Sequence, residues 1–253
     1  MAVDAADHIE DAVFHHWRRP RATVGLLSAM LIIHVWISII LWMRGWMGPL
    51  AALTYPRPTK LLVRWGAMRD IKLDAGEFWR LISCVFLHGD GLHMLLNGVA
   101  LFALGRLCES LYGAARFVWL FLLCGMCGAT FSWLGGNTTS VGASGGIFGL
   151  MGAAMVFGWR YRQQLPDPMS HFLRRSLLPW VVLNLVIGLL LPFIDNLGHI
   201  GGLLAGILLA MVIGNQVIPG EQSPMALRTA MAMGSTGLLV MATWGVAHRW
   251  YLL

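Results

Sequence analysis

The sequence predicts an all-α, polytopic membrane protein, and three observations support this fold class. Hydrophobic residues make up 57% of the 253 positions and charged residues only 12%, unlike the composition of a soluble globular domain. The mean hydropathy is +0.68. Apolar stretches long enough to cross a hydrocarbon core of about 30 Å recur along nearly the whole chain. We therefore expect a single helical bundle without a large soluble domain.

Seven apolar stretches are the predicted membrane-spanning helices. In chain order they are 22–43, 91–111, 117–134, 144–159, 177–193, 199–217 and 225–247. The first six form the predicted bundle, and the seventh is one additional C-terminal transmembrane helix. The chain then divides into a short N-terminal segment, 1–21, a six-helix core, 22–217, and a linker with the seventh helix, 218–253.

Arginines beside the predicted spans indicate the orientation, because basic residues in short loops are retained in the cytoplasm. Three segments that fall on one side carry them: Arg18, Arg19, Arg21, Arg106, Arg116, Arg160, Arg162, Arg174 and Arg175. We therefore expect a cytoplasmic N terminus, in a multi-pass protein of the bacterial inner (plasma) membrane, with a eukaryotic endomembrane as the alternative. The net charge of +6 requires no nucleic acid, since anionic membrane lipids are sufficient partners for these arginines.

The first loop, 44–90, is extracytoplasmic in this orientation and has an organisation of its own. Its segment GEFWRLISCVF predicts an amphipathic helix at the membrane interface. Phe78, Trp79 and Phe86 are the side chains expected to enter the head-group region. We expect the loop to be partly helical and packed on the bundle.

Polar side chains inside the spans are the candidates for function, because each costs free energy unless it faces the bundle interior or a partner. His93 and Asn97 lie at the start of span two, Ser144 at the start of span four and His199 at the start of span six. These spans run in the same direction, so the four side chains share one depth near the outer surface. Only a water-filled recess makes polar groups useful at that depth.

Two faces of small residues predict that spans four and six pack closely. They consist of Gly145 and Gly149 on span four and of Gly198, Gly202 and Gly206 on span six. Close packing brings Ser144 within hydrogen-bond reach of His199, the minimum requirement for an activated serine nucleophile. Backbone N–H groups at the head of span four, the Asn97 amide and the His93 ring are the candidate donors to an oxyanion.

Five short motifs occur in an order that resembles the rhomboids, a family of intramembrane serine proteases. They are FWR, HGDGLHMLLN, GRLCESLYGAARF, GASG and GHIGG, and the match covers roughly residues 77–206. The resemblance implies that Ser144 is the nucleophile and His199 the general base, with His93 and Asn97 in the oxyanion hole. It implies structural roles for Trp79, Arg80, His88, Gly105, Glu109, Gly113, Gly142, Gly145, Phe148 and Gly202.

The resemblance also implies the reaction and the substrates. A Ser-His dyad cleaves peptide bonds in the transmembrane segments of single-span membrane proteins, near the extracytoplasmic face, without a cofactor or a metal. Phe148 stands where rhomboids frequently have tyrosine, so its ring is expected to pack beneath His199 without a phenolic hydrogen bond. Asp195 is a disfavoured third member of the site, since its side chain is expected to be solvated. No oligomeric state follows from the sequence.

Other functional classes fit the sequence less well. GASGG also matches the GxSxG turn of soluble hydrolases, but that turn requires a preceding sheet strand. A metal site from His88, His93 and His199 lacks an HExxH motif and a carboxylate ligand. The remaining alternative is a catalytically silent rhomboid-like protein that binds membrane clients in quality control or trafficking. Such a protein is expected to lose the serine or the histidine, and both are present.

Overall fold

Helices make up most of the computed structural model, which describes residue 9 and residues 20–218, 220–221 and 224–247. The predicted N-terminal segment, 1–21, therefore lies almost wholly outside the described residues. The helices and strands are α1 (Arg21–Met43), α2 (Pro49–Thr54), α3 (Thr59–Arg64), β1 (Met68–Arg69), α4 (Asp70–Asp74), α5 (Arg80–Phe86), α6 (Gly91–Tyr112), α7 (Ala114–Leu134), β2 (Thr139–Ser140), α8 (Ser144–Arg160), α9 (Asp167–His171), a π-helical turn (Phe172–Ser176), α10 (Leu177–Leu190), α11 (Asn196–Val212) and α12 (Met225–Ala247).

The predicted all-α polytopic bundle is confirmed. Four helical segments are long and apolar enough to cross a membrane, namely α1, α6, α7 and the continuous segment Asp167–Leu190. The helices α8 and α11, each of 17 residues, and the 23-residue α12 occupy the other predicted stretches. The bundle centres on α8, which packs against α11, α7 and α6, while α12 packs on the outside of α7 and against α5.

Two helices end earlier than the sequence predicts. The helix α10 stops at Leu190 rather than at Phe193, because Leu191 precedes a proline and adopts an extended conformation. The helix α11 begins at Asn196, three residues before the predicted start, and ends at Val212 rather than Val217. Its early start follows from Asp195, whose carboxylate caps the helix by accepting from the Gly198 N–H at 2.8 Å.

The first loop is largely helical, as predicted, but it enters the bundle more deeply than expected. It contains α2, α3, α4 and α5. Phe86, expected in the head-group region, is only 3% exposed and belongs to the main hydrophobic core, whereas Phe78 is 55% exposed. The cause is that α5 packs against α7. The buried Arg80 also ties the loop together, since its guanidinium donates to the carbonyls of Val63 and Ala67.

The motif GxxxExxxG of span two anchors the start of span one. The buried Glu109 carboxylate accepts hydrogen bonds from Ala22 N at 2.9 Å, Thr23 N at 2.8 Å and Thr23 Oγ1 at 2.8 Å. These backbone N–H groups belong to the first turn of α1 and have no partner within the helix. Gly105 leaves the space that Thr23 fills. Gly113 ends α6 with a φ of +83°, which glycine adopts readily.

Candidate active site

Ser144 is the first residue of α8, directly after a backbone turn that requires glycine. Gly142 has a φ of +122°, and its N–H donates to the Cys84 carbonyl at 2.9 Å. This hydrogen bond joins the GASG turn to the end of α5 in the first loop. The Ser144 side chain is therefore placed at a helix N terminus, where N–H groups and the helix dipole favour negative charge.

The backbones of α8 and α11 are in direct contact through glycines, as the sequence predicts. A Cβ atom on Gly202 would overlap the carbonyl oxygen of Gly145, and one on Gly206 would overlap that of Gly149. At the same end of the bundle, a Cβ atom on Gly128 of α7 would lie 2.5 Å from the Gly198 carbonyl oxygen. Three helices thus converge beside the first turns that carry Ser144 and His199.

The His199 ring is supported from one side by Phe148. The two rings stack with centroids 4.2 Å apart and an interplanar angle of 7°, so the predicted packing is confirmed. His199 is buried, and its Nδ1 atom makes no hydrogen bond within the described part of the chain. Among the described contacts there is also no hydrogen bond between Ser144 Oγ and the His199 ring; such catalytic bonds commonly tighten only when substrate binds.

His93 and Asn97 are placed against the turn that leads to Ser144. Asp90 caps α6 by accepting from His93 N at 2.8 Å. A Cβ atom on Gly142 would lie 2.7 Å from His93 Nε2 and 3.7 Å from Asn97 Nδ2, so both side chains lie beside the backbone two residues before Ser144. One N–H of the Asn97 amide donates to the His93 carbonyl at 3.1 Å, and the amide has a second N–H that can donate to another acceptor.

His88 lies behind His93 as a buried, neutral ring. Its centroid is 5.1 Å from that of His93, in an edge-to-face arrangement. It is 1% exposed, and neither ring nitrogen has a hydrogen-bond partner in the described residues. Burial, and secondarily the nearby His93, lowers the pKa of His88 well below its ordinary value. Within the described ranges, no three His, Cys, Asp or Glu side chains are grouped as metal ligands.

Asp195 is half-buried and hydrogen-bonded within the protein, which corrects the expectation that its side chain is solvated. Besides capping α11, its carboxylate accepts from Asn137 Nδ2 at 2.7 Å and from Ser140 Oγ at 2.6 Å. These partners lie in the loop between α7 and α8. The carboxylate does not hydrogen-bond the His199 ring, so the geometry contains no Ser-His-Asp triad of the hydrolase type.

Arg57 is a structural residue of the site that the sequence reasoning missed. It is buried and donates to the His88 carbonyl at 3.0 Å, the His34 carbonyl at 3.0 Å and Ser38 Oγ at 2.8 Å. Burial lowers the pKa of Arg57 to about 10, so the guanidinium stays charged at neutral pH. It connects the first loop to α1 and to the segment before α6. Its position between two prolines, Pro56 and Pro58, was the only local signal of a fixed conformation.

Comparisons with known proteins place most of the chain in one family. A family model described as the rhomboid domain matches residues 75–216. The chain is 35% identical to Rhomboid protease GluP of Bacillus subtilis (strain 168) over 62% of this chain and 30% of that protein. It is 38% identical to RHOMBOID-like protein 5 of Arabidopsis thaliana over 60% and 49% of the two chains. The chain is 30% identical to Rhomboid protease AarA of Providencia stuartii, over 54% of this chain and 56% of that protein. The matched segment thus spans 30 to 56% of the length of these three relatives.

Proposed function

The chain belongs to the rhomboid family, and we propose that it is an intramembrane serine protease whose catalytic dyad is Ser144 and His199. The observation that carries the proposal is the contact between α8 and α11 at Gly145 and Gly202. It supports the dyad because Ser144 begins one of the two contacting helices and the buried His199 lies in the first turn of the other. Both residue types are those that nucleophilic acyl transfer requires.

The chemistry follows from the two side chains. His199 accepts the proton of Ser144 Oγ while that oxygen attacks the carbonyl carbon of the scissile peptide bond. The tetrahedral intermediate collapses to an acyl-enzyme when His199 gives the proton to the leaving amine. Water then attacks the acyl-enzyme, with His199 again as general base, and releases Ser144. Phe148 holds the imidazole plane through these steps by stacking.

The developing oxyanion has three classes of donor within reach of the GASG turn. The free N–H of Asn97 and a ring N–H of His93 lie on one side, beside Gly142. The third class consists of the backbone N–H groups at the start of α8, whose effect the helix dipole reinforces. Donors of this kind, fixed before the reaction, stabilise the transition state without reorganisation.

The substrates in this proposal are single-span membrane proteins cleaved near the extracytoplasmic face. A transmembrane segment must enter the bundle from the side. The helix α10 is the one that packs least extensively against the rest of the bundle. Only Leu177, Val181 and Gly188 of that helix are buried. We assign lateral access to α10 and the following loop, 191–195, in a protein whose N terminus is cytoplasmic and whose default location is the bacterial inner membrane.

A proteoliposome assay tests this function. The purified chain is reconstituted with a single-span substrate whose outer membrane segment contains helix-breaking residues, and the fragments are identified by mass spectrometry. We expect cleavage in the outer part of the segment by the wild type and by the control Ser28→Ala, an exposed serine of α1. Ser144→Ala must be inactive. Substrate that co-purifies intact with the wild type supports instead the client-binding alternative, with which the RHOMBOID-like name of the Arabidopsis relative is also compatible.

A further inference from the structure

We propose that Asp195 is a positioning residue that fixes the loop before Ser144 to the helix that carries His199. This inference rests on the proposed function, because it concerns the relative placement of the nucleophile and the base. Asp195 ends the loop between α10 and α11, whereas its partners Asn137 and Ser140 lie between α7 and α8. The carboxylate thus joins the loop that leads to Ser144 with the start of the helix that carries His199.

The carboxylate makes three short hydrogen bonds. One oxygen, Oδ1, accepts from Gly198 N at 2.8 Å and from Asn137 Nδ2 at 2.7 Å, and the other, Oδ2, accepts from Ser140 Oγ at 2.6 Å. Hydrogen bonds to an ionised acceptor are shorter and stronger than those between neutral groups. The side chain is half-buried, so water competes only partly for these donors.

The chain between Ser140 and the nucleophile has little freedom to take up a displacement. Ser140 is paired with Met68 in the β1–β2 ladder, and Arg69 Nη1 donates to Thr139 Oγ1 at 2.9 Å. Two residues further on, Gly142 N donates to the Cys84 carbonyl. A shift of Ser140 is therefore expected to affect Ser144, which lies four residues further along the chain.

On the other side, Asp195 is directly connected to the histidine. Its side chain caps α11, and its backbone carbonyl accepts from His199 N at 3.1 Å. The His199 Nδ1 atom has no hydrogen-bond partner in the described part of the protein. Because both carboxylate oxygens are engaged by other donors, Asp195 acts on His199 through the helix, not as a base or a proton acceptor.

The glycine contact explains why such a connection is needed. The facing glycines set how closely α8 and α11 approach, but they have no side chains that interlock along the helix axes. The Asp195 carboxylate supplies hydrogen bonds at the end where Ser144 and His199 lie, and together with the Phe148–His199 stack it helps to fix the axial register of the two helices.

The test compares Asp195→Ala with Asp195→Asn by the rate of fluorophosphonate labelling of Ser144. Alanine removes all three hydrogen bonds, and we expect labelling to slow by roughly tenfold or more, since small misplacements of reacting groups are costly. Asparagine can keep them: its oxygen accepts from Gly198 N and Asn137, and its amide donates to Ser140 Oγ. We expect Asp195→Asn to label within about threefold of the wild type at a single fixed pH, because the geometry is retained.

Further variants separate positioning from folding. Ser140→Ala keeps the helix cap and is expected to slow labelling, and to lower kcat for a peptide substrate more than it raises KM, without a matching fall in the melting temperature. Asp167→Ala, an exposed acidic residue at the start of α9, is the control. The inference is overturned if Asp195→Ala labels like the wild type, or if Asp195→Asn is as slow as Asp195→Ala. Absence of labelling in the wild type overturns the proposed function itself.

Discussion

Phe148 and His199 stack face to face, one turn into α8 and in the first turn of α11, with ring centroids 4.2 Å apart. The stacking holds the imidazole plane while its Nδ1 atom has no hydrogen-bond partner among the described residues. In serine hydrolases of the triad type a carboxylate orients the base. In the proposed dyad an aromatic ring takes the place of that carboxylate, so the orientation of His199 depends on packing.

The first prediction concerns this ring. Phe148→Ala removes the surface on which His199 packs, and we expect the labelling of Ser144 to slow by at least about tenfold because the base loses its fixed orientation. Phe148→Tyr keeps the ring and is expected to retain most activity. Phe172→Ala, which truncates a partly exposed ring in the π-helical turn, is the control. Equal labelling rates in Phe148→Ala and the wild type would show that the stacking has no catalytic role.

The glycine contact between the catalytic helices gives the second prediction. A Cβ atom on Gly202 overlaps the Gly145 carbonyl, so Gly202→Ala must push α8 and α11 apart. We expect a loss of labelling together with a destabilisation of about 1–3 kcal/mol, the usual cost of overpacking. Gly25→Ala in α1, where a Cβ atom meets nothing within 4 Å, is expected to leave both unchanged. Thermal unfolding in detergent and labelling of the same samples measure the two effects.

The third prediction addresses the Glu109 anchor. Glu109→Ala leaves the N–H groups of Ala22 and Thr23 without their acceptor, and we expect a loss of about 1–3 kcal/mol for each donor that stays buried and unpaired. The melting temperature should fall while labelling of the folded fraction persists, because Glu109 lies far from the GASG turn along α6. Glu221→Gln alters an exposed ion pair with Arg160 and should change stability little. A melting temperature unchanged by Glu109→Ala would contradict the anchor.

The fourth prediction is a pH dependence of stability. The pKa of His88 is lowered well below 6.5 by burial, so the ring is neutral in the folded protein and takes up a proton on unfolding once the pH falls below about 6.5. Stability is therefore retained above that pH and lost below it, by at most about 1.4 kcal/mol per pH unit from this one group. His88→Phe should flatten the fall in melting temperature between pH 7 and pH 5, whereas His171→Phe, at an exposed site, should not. An identical fall in His88→Phe and the wild type would contradict this account.

The candidate site could be proposed from the sequence because its decisive patterns are local. Ser144 and His199 sit in short motifs at the start of apolar stretches, so helix direction alone places them at one end of the bundle. The contacts of Asp195 with Asn137 and Ser140 bridge 58 and 55 residues, and no local pattern shows which loops meet. The same holds for Arg57, whose partners lie in other elements. Phe86 was misplaced because an amphipathic pattern does not reveal whether the second face of a helix is also covered.

The most direct test of the dyad is activity-based labelling of the detergent-purified protein with a fluorophosphonate probe, compared among the wild type, Ser144→Ala and His199→Ala. The account predicts that the wild type is labelled, that the modified residue found by peptide mass spectrometry is Ser144, and that both variants are unlabelled. The control Ser28→Ala should label like the wild type. Labelling that survives Ser144→Ala, or that is absent from the wild type, would contradict the dyad and favour a client-binding role.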